Sequence, residues 1–206
     1  DVGKAGGAIF SPAIVGNAVF VADQKGGVYR IEAGRIVWKI DAGQALSAGV
    51  GADIHLVVVG TAKGGVLAFD AETGKALWQS QVSSEVLAAP AVSGEGVAVR
   101  SGDNRIFLLD VRDGARKWMY ERPMPALSVR SVGAPVFADR YVFAGFPGGK
   151  LMALSLTNGA PVWEAAVAQP KGTTELDRVA DIVSPPAIDG TQICAVAFQG
   201  KVACFD

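Results

Sequence analysis

Apolar residues occur along this chain in bursts of four or five, broken by Gly, Pro, Asp or Lys, without the 3.6-residue recurrence of an amphipathic helix. Val19-Phe-Val-Ala, Leu56-Val-Val-Val, Gly96-Val-Ala-Val, Tyr141-Val-Phe-Ala and Ile193-Cys-Ala-Val are short, β-rich and bounded by glycine or polar residues. Each is followed by a tight-turn signal: Gly26-Gly27, Gly64-Gly65, Asp103-Asn104, Gly148-Gly149 and Gln199-Gly200. These pairs predict two-residue hairpins with positive φ. Ahead of each burst stands a small-residue segment: Ser11-Pro-Ala-Ile, Ser47-Ala-Gly-Val, Ala89-Pro-Ala-Val, Ala134-Pro-Val-Phe and Pro185-Pro-Ala-Ile. Behind the first four turns comes a strand–turn–strand phrase ending in tryptophan. The pattern therefore predicts four short antiparallel strands per unit, with a single helical turn from Thr173 to Ala180 as the one exception.

The tryptophans set the period. Trp38, Trp78, Trp118 and Trp163 follow one another at intervals of 40, 40 and 45 residues. Four strands in 40 to 45 residues is the length of a propeller blade rather than of any helical repeat. The expected fold is an all-β propeller forming one domain over 1–206, with units at about 9–44, 45–86, 87–122, 133–168 and 184–206, the last incomplete. The small residues suit the start of an innermost strand at a crowded channel, and each Trp is expected to pack a strand end against the neighbouring blade. The fifth unit stops before the Asp-x-x-x-Gly-x-x-x-Trp phrase that the earlier four carry in some form. An unfinished blade leaves unpaired strand groups, so further chain or a second copy, associating edge to edge, is expected to cover them.

Composition narrows the chemistry. Half of the 206 residues are hydrophobic, no apolar run reaches a membrane span, and the net charge is −1 with both signs interspersed. No basic stripe marks a nucleic-acid surface. The single histidine, His55, has no nucleophile-elbow phrase to serve, and no metal-ligand spacing occurs. The glycine pairs beside Lys25, Lys63 and Lys150 precede no helix and are turns rather than phosphate cradles. No catalytic, metal or cofactor residue is assigned, and a binding scaffold is expected. Cys194 and Cys204 flank a turn ten residues apart, which permits a disulfide; two small buried apolar residues is the favoured reading.

The phrase Ala68-Phe-Asp-Ala-Glu-Thr-Gly-Lys-Ala-Leu-Trp78 resembles the repeat signature of quinoprotein-like (PQQ-type) β-propellers. Two insertions are more particular: Pro123-Met-Pro-Ala-Leu-Ser-Val-Arg-Ser-Val-Gly133 and Ala168-Gln-Pro-Lys-Gly-Thr-Thr-Glu-Leu-Asp-Arg-Val-Ala-Asp181. Together they resemble the BamB family, propeller lipoproteins of the outer-membrane β-barrel assembly (BAM) machinery. That resemblance implies an N-terminal part, about five blades of eight, of a non-catalytic protein anchored by lipid at the periplasmic face of the outer membrane. It further implies docking to a POTRA domain of a BamA-type subunit and a role with unfolded outer-membrane protein clients. The docking elements of the family map onto Leu127, Val129 and Arg130 in the first insertion and Asp181 in the second, with Val183 standing where a second acid is expected.

Loops that interrupt a regular repeat gather on one face of a propeller and commonly carry binding. In such an interface Leu127 is an apolar anchor, Arg130 a multi-donor contact and Asp181 an orienting charge. Glu175, Asp177 and Arg178 are assigned to the same surface, the alternative being that they cap a short turn; for Arg130 the alternative is a local pair with Asp181 or Glu175. Two rival functions remain: a PQQ- and Ca²⁺-dependent quinoprotein dehydrogenase, and a generic propeller recognition module. Acids converging in the channel would indicate the first. Arg130 and Asp181 both sequestered in internal pairs would indicate the second.

Overall fold

The computed structural model of the chain describes residues 10–123, 125, 127–129, 132–198 and 200–206. Nineteen strands and no helix occur among them. They form four four-stranded antiparallel sheets and a three-stranded fifth, each built from consecutive strands in sequence order. The first sheet comprises β1 (Ala13–Val15), β2 (Ala18–Ala22), β3 (Gly27–Glu32) and β4 (Arg35–Asp41); the fifth comprises β17 (Ala187–Asp189), β18 (Gln192–Ala197) and β19 (Lys201–Phe205). Segment 173–180 forms bends and turns, not the helical turn expected. Its hydrogen bonds run from Arg178 N to Glu175 O and from Val179 N to Leu176 O, too few in succession to propagate a helix.

The strand bursts lie where sheets stack on sheets. Leu56 to Val59 are buried throughout: Leu56 and Val58 pack with Val97, Val99 and Phe107 of the third unit, while Val57 and Val59 pack with Phe20, Val28 and Leu46. A sheet covered on both faces has no reason to alternate apolar with polar residues, which is why these strands read as continuous apolar runs. The outermost strands, such as β8 (Ala76–Gln81), do alternate, with exposed and half-buried residues in turn.

The inner strands crowd as the small residues predicted. A methyl at Gly49 would lie 2.6 Å from Ser11 N, one at Gly51 would overlap the carbonyl of Pro90, and one at Gly133 would stand 2.8 Å from Ser184 O. Each of these contacts joins one unit to the next.

The hairpins differ from the expected two-residue loops. Asp23 N bonds Gly27 O, Thr61 N bonds Gly65 O and Ser101 N bonds Arg105 O, enclosing three residues each time. The third loop residue takes the left-handed conformation: Gly26 at φ 105°, Gly64 at 81° and Asn104 at 61°. This is the three-residue loop with a bulge, in which only one position needs positive φ. In the first two loops the opening residue supplies the extra acceptor, Asp23 Oδ1 receiving Gly27 N at 3.1 Å and Thr61 Oγ1 receiving Gly65 N at 2.8 Å, whereas the Ser101 hydroxyl donates to Asp103 Oδ1. Desolvation pushes the Asp23 carboxyl up, but hydrogen bonds from Tyr29, Gly27 and Lys25 outweigh it and hold the group below its ordinary value. A true two-residue turn occurs instead between β3 and β4, where Ala33 and Gly34 both have positive φ.

Each tryptophan reaches the following sheet. Trp38 Nε1 donates to Ala71 O at 3.2 Å, Trp78 Nε1 to Val111 O at 2.8 Å and Trp118 Nε1 to Leu156 O at 2.9 Å. The indole lies against the glycine of the next unit's turn: an added methyl would stand 3.1 Å from the Trp38 ring at Gly74, 2.5 Å from Trp78 at Gly114 and 2.6 Å from Trp118 at Gly159. Those glycines also have φ near +72°, so the position excludes side chains twice over.

Cys194 and Cys204 form a disulfide, correcting the preference for two buried thiols. They are directly paired across β18 and β19, with Cα atoms 4.0 Å apart. Ile193, Ala195 and Ala197 turn toward the fourth unit's core, so strand alternation sends the cysteines to the opposite face, where Cys204 is exposed. Burial of two small apolar groups was therefore not available to them.

Two stability measurements follow. Gly114→Ala should cost about 2–4 kcal/mol in denaturant unfolding, combining left-handed strain with overlap on Trp78. Gly16→Ala, also at positive φ but with open space around it, should cost only about 1 kcal/mol; equal losses would remove the indole contact as the cause. Reducing the disulfide, which closes a short loop, should cost about 2–3 kcal/mol, seen as a lower Tm in reductant that Cys194→Ala/Cys204→Ala reproduces without it.

Candidate docking site

The two insertions enter where the repeat would otherwise pass directly between units. After the second sheet the chain bonds Val82 N to Gly64 O, then Val86 N to Thr61 O, and moves on to the next inner strand. After the fourth sheet the corresponding bonds are Val167 N to Gly149 O and Ile182 N to Phe146 O. Val86 sits against Gly60 as Ile182 sits against Gly145, too closely in each case for a side chain on the glycine. The second insertion is thus the connector of the second unit lengthened between the same two anchor points. By the same correspondence Asp181 occupies the position of Glu85: Phe198 N bonds Asp181 O and Gly102 N bonds Glu85 O, both at 2.7 Å.

Asp181 is only 2% exposed. Its Oδ2 accepts from Val129 N at 2.6 Å and its Oδ1 from Gly148 N at 2.9 Å. This corrects the expectation of an interface charge. Two backbone donors take up the carboxylate, so it joins the first insertion to the fourth unit's inner hairpin instead of facing solvent. Arg130 lies outside the described residues, so the criterion that paired it with Asp181 is met on one side only.

The other assigned residues divide into two groups. Leu127 is 44% exposed, and Val129, two residues on, is half-buried and held through its amide. Glu175, Asp177 and Arg178 form a separate exposed turn. Thr174 N donates to Asp177 Oδ2 and Asp177 N to Thr174 Oγ1, both at 3.2 Å, while Arg178 reaches Glu175 Oε1 at 3.4 Å and Gly172 O at 3.1 Å. This is a reciprocal capping arrangement, and the Thr174 hydrogen bonds hold the Asp177 carboxyl below its ordinary value. No hydrogen bond or ion pair links this turn to Leu127, Val129 or Asp181 among the described residues. Val183 is half-buried.

Sequence reasoning missed three residues here. Leu176, at 69% exposure, and Phe198, at 43%, present large apolar side chains beside the second insertion, and Phe198 lines a small cavity with Asp177, Val179, Ala180 and Lys201. Arg100 was missed altogether. It is buried on β10 (Gly96–Arg100), and no sequence signal separates it from a surface arginine ending a strand. His55 is exposed in a turn ahead of β6 (Leu56–Gly60), its amide bonded to Asp53 Oδ1 at 2.8 Å. Among the described residues no group of three His, Cys, Asp or Glu side chains converges as a metal site would require.

Comparison with known proteins agrees with this geometry. The family model described as outer membrane protein assembly factor BamB matches residues 24–206. Curated relatives carrying that name include one from Nitrosomonas eutropha, 46% identical over 97% of this chain and 49% of its own length, and one from Bordetella pertussis, 42% identical over 100% and 54%. The chain therefore spans about half the length of the curated relatives it matches. Among solved structures, BamB from Moraxella catarrhalis superposes with a TM-score of 0.89 at 33% identity, covering 96% of this chain and 60% of that one. A quinohemoprotein alcohol dehydrogenase from Pseudomonas putida HK5 superposes at 0.73 with 17% identity, covering all of this chain and 41% of that one, a likeness of fold alone. With the family model matching most of the chain and the relatives in agreement, the chain belongs to the BamB family of PQQ-like β-propellers.

Proposed function

We propose that this chain is part of a non-catalytic scaffold subunit of the outer-membrane β-barrel assembly machinery. It docks through its two insertions to a periplasmic POTRA domain of the BamA-type subunit and aids assembly of outer-membrane β-barrel proteins. The observation that carries the reading is the joining of the two insertions at Asp181, which makes one rim of two loops that the repeat itself does not need. The names of the relatives, assembly factors throughout, support the same process.

The chemistry of the two loops suits a protein partner. Leu127 on the first insertion and Leu176 on the second are exposed apolar side chains, and Phe198 shares a small cavity with Asp177, so exposed apolar area is available together with charged Glu175, Asp177 and Arg178. Arg130 is assigned the central multi-donor contact. Held by a carboxylate on backbone amides, the first insertion loses little further freedom on binding, which favours affinity from a small surface. The Cys194–Cys204 disulfide supports an oxidising compartment such as the periplasm, with a lipid anchor at the outer membrane part of the same proposal.

Titration of the full chain with the POTRA domains of the barrel subunit tests this. Saturable binding is expected, weakened about tenfold or more by Leu127→Asp, as for an anchor side chain at an interface centre, and lost in Arg130→Glu. A folded chain that gives no saturable binding overturns the reading.

A further inference from the structure

Among the described residues the first insertion is held at two points, and both lead to the same hairpin of the fourth unit. That hairpin joins β14 (Tyr141–Phe146) to β15 (Lys150–Ser155). Asp181 accepts Val129 N from the insertion and Gly148 N from the hairpin. Arg100 supplies the opposite polarity. Its Nε donates to Gly133 O at the end of the insertion at 2.9 Å, its Nη2 donates to Gly145 O on the hairpin, and its Nη1 reaches Asn104 Oδ1 at 3.3 Å. One buried anion thus gathers two amides and one buried cation two carbonyls, and each takes one group from the loop and one from the hairpin.

Arg100 is an expensive way to fill a core. It is 2% exposed, its guanidinium rests 5.2 Å from the centre of the Phe146 ring, and among the described residues no carboxylate reaches it. Desolvation lowers its pKa to about 10, which leaves it charged at neutral pH. Removing a charge from water costs several kcal/mol unless strong hydrogen bonds offset it, and a well-packed apolar residue would commonly serve stability as well. The planar fork of arginine, by contrast, aims at several acceptors in fixed directions, which no apolar residue does.

We infer that Arg100 is a positioning residue for docking: with Asp181 it clamps the first insertion onto the 145–148 hairpin and so presents Leu127 and its neighbours in the shape the partner recognises. The inference rests on the docking reading above. Arg100 itself is sealed beneath the loop and touches no partner.

Amide hydrogen exchange and POTRA titration of the full chain, run on the same variants, test it. Arg100→Met keeps the aliphatic length and removes every donor. Exchange at Val129 and Gly148 should quicken tenfold or more and affinity should fall about tenfold, with Val97 to Val99 and Leu151 to Leu154 protected as in wild type. Arg100→Lys, which keeps the charge but not the fork, should recover part of both effects. Asp181→Asn is nearly isosteric and secures the test should Arg100→Met fold poorly: an amide can accept from only one of the two N–H groups, so the same loop should loosen. Leu127→Asp should weaken binding without changing exchange, separating contact from positioning. Unchanged exchange at Val129 in both clamp variants overturns the inference, as does unchanged affinity despite faster exchange. Absence of binding by the wild-type chain overturns the docking reading and the positioning role with it, while the exchange measurements still report whether Arg100 holds the loop.

Discussion

An indole laid against a bare glycine of the next sheet is the contact on which this architecture depends. Stacked sheets have no intrinsic register: apolar faces slide over one another at little cost, because burial is proportional to area and not directional. The bond from Trp78 Nε1 to the carbonyl of Val111, with Gly114 pressed on the ring, fixes both distance and rotation between the second and third units. The first–second and third–fourth pairs repeat it. A bulge at the same place in the four complete sheets, between Arg30/Ile31, Ala68/Phe69, Leu108/Leu109 and Ala153/Leu154, precedes each of these tryptophans across the ladder. Register within the sheet and register between sheets are therefore set at one locus per unit.

Because the units are aligned without help from the connectors, a connector can lengthen freely. Val82 to Val86 and Val167 to Ile182 begin and end on equivalent hydrogen bonds, yet the second path carries an exposed turn that the first lacks. The added residues bring no sheet of their own and make local bonds, as the Thr174–Asp177 pair illustrates. What ties the lengthened connector to the body is the segment that still follows the repeat. Asp181 stands where Glu85 stands, but its carboxylate now serves the neighbouring insertion.

The fold was legible because its determinants are local and periodic. A tryptophan, a turn glycine and a small residue at the inner strand recur with the period of the blade, and the indole–glycine contact performs the same task at three successive junctions, Trp38–Gly74, Trp78–Gly114 and Trp118–Gly159. The loop lengths were less legible, since Gly26-Gly27 suits a two-residue turn as well as a bulged three-residue one. The choice falls to the Asp23 carboxylate, which bonds the amides of Lys25 and Gly27. The cysteines were misread for a similar reason: spacing places them opposite one another, but which face they occupy depends on how β18 packs against the fourth unit.

The candidate site was legible as two loops and not as a mechanism for holding them. Leu127 could be assigned from its place in an insertion. The family resemblance and its place in an insertion assign Asp181 as an interface charge, and neither signals burial; Arg100 reads as nothing because it ends an ordinary strand. The partners that define both lie 33 to 52 residues away and are backbone groups, which carry no side-chain signature. Burial inverts the usual meaning of such residues. On a surface, Arg and Asp advertise contact with something else; here each satisfies main-chain groups of a loop that would otherwise need water, and water is what a docking partner must displace. In the proposed docking, a loop already satisfied from beneath would present its upper side with little left to order, and the two buried charges would serve recognition without meeting the partner.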